Sequence, residues 1–173
     1  MASRIPSKKE KRRKRLQALI VIFLVVMLAS GLGLSLYLGL PGSKSAAQLL
    51  QEGETAFGEG RYEDAVDLFK EAIEKEPGYP DGYSRLGMAY QFLYNKSGGT
   101  VNKEEEIKAF RKAVELDPGN YESLLNLGLA LFYEGNKKEA AVYLKKAVEL
   151  DPNPNDPYKA TLEDLIRQAE SVQ

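Results

Sequence analysis

At 173 residues the chain has room for one ordinary globular domain and a short accessory segment, which argues against a multidomain enzyme. It contains no cysteine and no histidine, so disulfides, thiolate chemistry and the usual zinc sites are excluded. The net charge of −1 conceals an asymmetry: residues 1–15 hold eight Lys or Arg against one acid, while residues 16–173 hold 16 bases against 24 acids. An acidic body repels phosphate backbones, so no nucleic-acid partner is expected, and the basic head, lying beside an apolar run, suits membrane headgroups.

Residues 16–40 read LQALIVIFLVVMLASGLGLSLYLGL, without a single charge. As a helix rising ~1.5 Å per residue, this run would extend ~37 Å, enough to cross a hydrocarbon layer of ~30 Å with some tilt. It predicts an uncleaved transmembrane helix contacting lipid through residues 16–40. The alternative is a signal peptide, whose apolar stretch is normally only ~7 to 15 residues; Ser43 and Ser45 offer small residues for a peptidase. The basic flank before the span, against Lys44 alone just after it, predicts a cytoplasmic head (1–15) and an extracytoplasmic body in a cell membrane. Gly31, Ser35 and Gly39 recur every four residues and offer a face for a homodimer; the plainer reading is that small residues are common in such spans.

After a linker over 41–45, PGSKS, continuous apolarity gives way to amphipathic periodicity. Three segments align. The first carries Leu49, Gly53, Ala56, Ala65, Phe69, Ala72 and Pro77; the third carries Leu124, Leu127, Gly128, Leu131, Ala140, Leu144, Ala147 and Pro152. The middle one carries Tyr83, Leu86, Gly87, Tyr90, Phe110, Ala113 and Pro118, with seven additional residues. Each unit reads as two amphipathic helices, Tyr121 to Glu134 and Lys137 to Leu150 in the third, with Gly60 and Gly135 taking the left-handed turn. Small residues sit where helices approach closely, Phe69, Phe110 and Leu144 fill the space between neighbouring units, and the prolines end each unit. The insertion, which lies within Tyr94 to Lys103, is expected as a loop, broken at Gly98 and Gly99, with Asn102 and Glu105 resembling a capping box that restarts the helix. Glu52 and Glu106 stand where the pattern has Leu and Ala. A last helix within 156–171, with Tyr158, Leu162, Leu165 and Ile166 on one side, is expected to cap the array.

This arrangement resembles the tetratricopeptide-repeat family, whose pattern of an aromatic, a Leu-Gly pair, a Tyr, then Ala, Phe and Pro over 34 residues it matches. The resemblance implies an all-α solenoid of three helical hairpins, 46–79, 80–120 and 121–154, followed by a capping helix over 156–173. It further implies a concave groove lined by the first helix of each hairpin. By alignment the groove positions are Leu50, Glu54 and Phe57; Asp81, Ser84, Met88 and Phe92; and Glu122, Leu125, Asn126, Leu129, Phe132 and Tyr133. Some family members hold acidic tails through basic and amide groups. Leu50, Glu54 and Glu122 occupy those places here, so the resemblance points instead to an apolar or weakly basic peptide, with Asn126 placed to bond its backbone. Leu125, Leu129 and Phe132 form a second apolar stripe on one helix, to be covered either by a partner or by the capping helix. No phosphate loop, nucleophile elbow or metal-ligand cluster appears, so a non-catalytic adaptor without cofactor is expected, with a self-associating membrane module as the alternative.

Overall fold

The computed structural model describes residues 17, 19–23, 25–26, 44–99, 103–153 and 155–171. Ser45–Gln173 form one compact unit, separate from Met1–Lys44. Of the expected membrane span only residues 17, 19–23 and 25–26 are described; they are helical, and the apolar ones among them are exposed. Among the described residues no helix is long and apolar enough to cross a membrane. The remainder of the span, the basic head, the linker residues 41–43 and the Gly31, Ser35, Gly39 face lie outside the described residues.

The second unit is a succession of seven helices: α1 (Ala46–Gly58), α2 (Tyr62–Lys75), α3 (Pro80–Lys96), α4 (Lys103–Leu116), α5 (Tyr121–Glu134), α6 (Lys137–Leu150) and α7 (Lys159–Glu170). No strand occurs among the described residues. Each helix packs on the next in the chain, so the core is built hairpin by hairpin. Local chemistry sets the ends. Ser45 and Gln48 close a reciprocal capping box on α1, Pro80 starts α3 where its missing N–H is harmless, and the Asn120 side chain caps α5 through Ser123 N. Gly135, at φ 96°, ends α5 and lets Asn136 N reach Leu131 O at 2.9 Å. Gly60, at φ 74°, makes the corresponding turn after α1.

Inside each hairpin a glycine of the first helix lies under a large side chain of the second. A Cβ on Gly53 would stand 2.5 Å from Phe69, one on Gly87 2.6 Å from Phe110, and one on Gly128 2.7 Å from Leu144. The three large residues therefore fill the hairpins as well as the spaces between them: Phe69 clusters with Leu86, Ala89 and Tyr90 of the next hairpin, and Phe110 with Leu124, Leu127 and Leu131. At Gly128 the Leu144 backbone nitrogen is also within 3.1 Å of the added carbon, so the site cannot relax by turning a side chain alone. Gly128→Ala is expected to lower stability by up to about 2 kcal/mol, since overpacking of ~1–3 kcal/mol outweighs the ~1 kcal/mol gain in helix propensity. Gly58→Ala, with nothing within 4 Å, should raise it by up to ~1 kcal/mol; urea midpoints of the two variants check the opposite signs.

Glu52 is exposed, whereas the corresponding Leu86 and Leu127 are 8% and 0% exposed. Those leucines pack in clusters with the preceding hairpin, a contact the first repeat does not make, so a carboxylate there displaces no packing between hairpins. At the other end α7 buries Leu162, Ile166 and Ala169, with Leu165 partly covered. Tyr158, expected on that packed side, instead precedes the helix and is 71% exposed.

The insertion differs from the expected loop in one respect: Tyr94, Asn95 and Lys96 continue α3, which reaches 17 residues. The extra turn is held by tertiary contacts, because the Lys96 ammonium donates to Gly60 O at 3.0 Å and lies 5.4 Å from the centre of the Tyr62 ring. Gly98 and Gly99, at φ 68° and 85°, then end it. Asn102 of the expected capping box lies outside the described residues.

Candidate functional site

Aligned on Gly53, Gly87 and Gly128, the predicted groove positions lie in rows along α1, α3 and α5, and many of them meet across adjacent helices. Glu54 pairs with Arg85 of α3. Phe57 and Phe92 contact edge to face, ring centres 5.0 Å apart, and Tyr62 completes the group at 5.3 and 5.5 Å from them. The hydroxyls of Ser84 and Ser123 share a hydrogen bond of 3.1 Å. Leu50 is only 9% exposed, in the cluster that holds Leu86, Ala89 and Tyr90 of α3.

The third hairpin uses most of its second apolar stripe internally. Leu125 and Leu129 are half-buried against Leu144 and the α7 residues Leu162 and Ile166. Phe132 is 9% exposed in the cluster that contains Ala169, and the Lys137 ammonium lies 5.3 Å from its ring centre. The capping helix thus provides much of the cover that this stripe requires. Tyr133, in edge contact with Phe132, remains 71% exposed, and Phe92 is 42% exposed. Asp81, Ser84, Met88 and Asn126 are half-buried, and Glu122 is exposed. Accessible apolar surface among the predicted positions is therefore concentrated toward the C-terminal ends of α3 and α5.

Charge is distributed unevenly. Glu54 is neutralised by Arg85, while Asp81 accepts a hydrogen bond from the Tyr79 hydroxyl at 3.2 Å, and the nearby carboxylate raises the Tyr79 phenol above its usual range. Ala47, Leu50, Gln51, Glu54, Glu76, Tyr79 and Arg85 surround an open cleft of about 240 Å³. Arg85 and Tyr62 were not among the predicted positions. Arg85 had a signal, a cation one helical turn beyond Asp81 on the same helix; Tyr62 had one as the aromatic that starts the second helix. On the second helices Arg111 binds Glu139 through both carboxylate oxygens, joining α4 to α6 and holding Glu139 below the usual carboxylate range.

Glu106 is fully buried, at the position occupied by Ala65 and Ala140 in the other hairpins. Loss of water raises its pKa above the ordinary 4.5; Lys103 and Gln91, within hydrogen-bond reach, oppose the rise, and Glu134 adds to it. A raised folded-state value means that the folded chain holds this proton more tightly than the unfolded chain. The resulting stabilisation is complete below pH ~4.5 and is lost as pH rises through the folded value. Glu106→Gln should remove that dependence, so the difference in melting temperature between variant and parent should grow in the variant's favour as pH rises from 4.5 to 7. A constant difference would contradict the assignment.

Three family models, each described as Tetratricopeptide repeat, match residues 50–90, 102–120 and 121–154, together more than half of the chain. No curated protein matches. Among solved structures, the TPR domain of Sgt2 from Aspergillus fumigatus is 27% identical with a TM-score of 0.60, covering 75% of this chain and 85% of that one. The TPR2B domain of yeast Sti1, in complex with an Hsp70 peptide, is 22% identical with a TM-score of 0.60 over 74% of this chain and 98% of that one. The Yersinia enterocolitica type III secretion chaperone SycD, in complex with a peptide of the translocator YopD, is 18% identical with a TM-score of 0.60, covering 75% and 97%.

Proposed function

Because the chain belongs to the tetratricopeptide-repeat family, we propose that it is a non-catalytic adaptor that captures a segment of another protein on the surface formed by α1, α3 and α5. The observation that carries this reading is the exposure of Phe92 and Tyr133, large apolar side chains that the fold leaves at adjacent hairpins while it covers the neighbouring Leu125, Leu129 and Phe132. Exposed aromatic rings of this kind give a partner large contact area at low entropy cost. Peptides bound to the Sti1 and SycD domains support the same use of the fold. Asp81 and Glu122 favour an apolar or weakly basic segment over an acidic one.

The adaptor is further proposed to be tethered in a cell membrane by residues 16–40, with the basic head in the cytoplasm and the repeats on the other side, in assembly or secretion of envelope proteins. Support comes from the uncharged 25-residue run and the basic residues before it. Alkaline carbonate washing of membranes, followed by protease treatment of spheroplasts, tests this arrangement. The full-length chain should stay with the membrane and lose its repeats to protease added outside. Release by carbonate, or repeats protected until the cells are lysed, would contradict it.

A further inference from the structure

The three hairpins solve one contact in different ways. In the first, Phe57 near the end of α1 meets Tyr62 at the start of α2, and Ala65 lies one turn further on. In the third, Phe132 lies beneath Lys137 of α6, followed by Ala140. In the second, the ring is replaced by Gln91 and the alanine by Glu106, with Lys103 at the intervening place. A shorter side chain on α3 thus accompanies a longer one on α4. The carboxylate is fully buried, its Oε2 3.0 Å from Lys103 Nζ and its Oε1 3.4 Å from Gln91 Nε2. Lys103 is itself mostly buried, with its ammonium 4.9 Å from the centre of the Tyr94 ring. No buried polar side-chain atom among the described residues is left without a partner.

The hairpin connections differ in parallel. Two residues join α5 to α6 and three join α1 to α2, and in each the left-handed glycine, bonded back to the last turn of the first helix, stands two residues before the second helix. Such turns fix the register of the second helix on the first. Gly98 and Gly99 are also left-handed, and Gly99 N bonds back to Tyr94 O, but Gly99 stands four residues before α4 in a six-residue connection, which dictates the position of α4 less tightly. Phe110 seated over Gly87 favours one register of the apolar seam, and a buried charge, tolerated only where its partners are in reach, penalises the others.

We propose that Gln91, Glu106 and Lys103 form a polar lock that, with Phe110 over Gly87, sets the register of α4 on α3, where the connection between the helices is longer than in the other two hairpins. The lock explains why a charge is buried at a position where alanine suffices elsewhere, and why it stands in the one hairpin with an insertion.

The test uses the full chain in detergent and the double substitution Gln91→Phe with Glu106→Ala, which gives the middle hairpin the residue types of the other two. Either substitution alone is expected to lower the urea midpoint, Gln91→Phe by crowding the carboxylate and Glu106→Ala by leaving Lys103 without it; the pair should recover most of the loss. The recovered double variant should nonetheless show more than one set of α4 amide resonances, against a single set in the parent. Shortening its 97–102 connection to Gly-Asn should restore a single set. A double variant with one set of α4 resonances and parental contacts to α3 would overturn the proposal, as would single-variant losses that simply add.

Discussion

Phe110→Ala should cost about 3–5 kcal/mol, as expected for removal of a fully buried ring whose site cannot collapse. One face of the ring lies over Gly87 in its own hairpin, and the ring also belongs to the cluster with Leu124, Leu127 and Leu131 of the next. Neither neighbour can move in to fill the space, because Gly87 has no side chain and the leucines are held by α6. Total stability for a domain of this size is of order 5–15 kcal/mol, so the loss removes a large share of it. Repeat arrays are stabilised mainly by contacts between neighbours, and the second and third hairpins should therefore melt together. Thermal and urea unfolding followed by circular dichroism measure this; a midpoint equivalent to a loss under ~1 kcal/mol would show that the Phe110 site relaxes freely.

The second large effect concerns binding. Phe92→Asp combined with Tyr133→Asp should reduce partner capture by at least about tenfold, since truncation of a central aromatic contact commonly removes ~2 kcal/mol or more of binding energy. The fold should persist, because Tyr133 is largely exposed and Phe92, though it touches Phe57 and Tyr62, belongs to none of the buried clusters. Leu129→Asp and Phe132→Asp, which a reading of the sequence alone would choose for the same purpose, should instead unfold the third hairpin, as they would place a carboxylate among Leu144, Leu162, Ile166 and Ala169. Capture that is unchanged in a folded Phe92→Asp, Tyr133→Asp variant, measured on immobilised chain with membrane extract, would remove the groove from the account.

The helices and their turns were legible because they depend on local chemistry. Apolar periodicity ended at Gly60 and Gly135, and those are the positions that need positive φ. Glu52 and Glu106 were legible as departures from the repeat, but their outcomes were not. One is exposed because no hairpin precedes it, the other is buried with Lys103 and Gln91, and only the third dimension separates the two cases. The last turn of α3 escaped the sequence reading because it is held by Lys96 reaching the turn at Gly60, a contact 36 residues away in the chain. For the same reason the pairing of Glu54 with Arg85 was invisible in a list of groove positions taken one helix at a time. The doubly apolar face of α5 announced that something must cover it. Placing much of that cover on α7 required the packing of Leu125 and Leu129 to be seen.

Site-specific photocrosslinking in intact membranes tests the central claim most directly, with the photoreactive residue placed in turn at Phe92, Tyr133 and Val142. Val142 is 63% exposed on α6, a second helix of its hairpin, and serves as the reference for non-specific contact. One adduct, of the same size, is expected from Phe92 and Tyr133, and none from Val142. Adducts from Val142 alone, or only adducts of the chain with itself from all three positions, would contradict it.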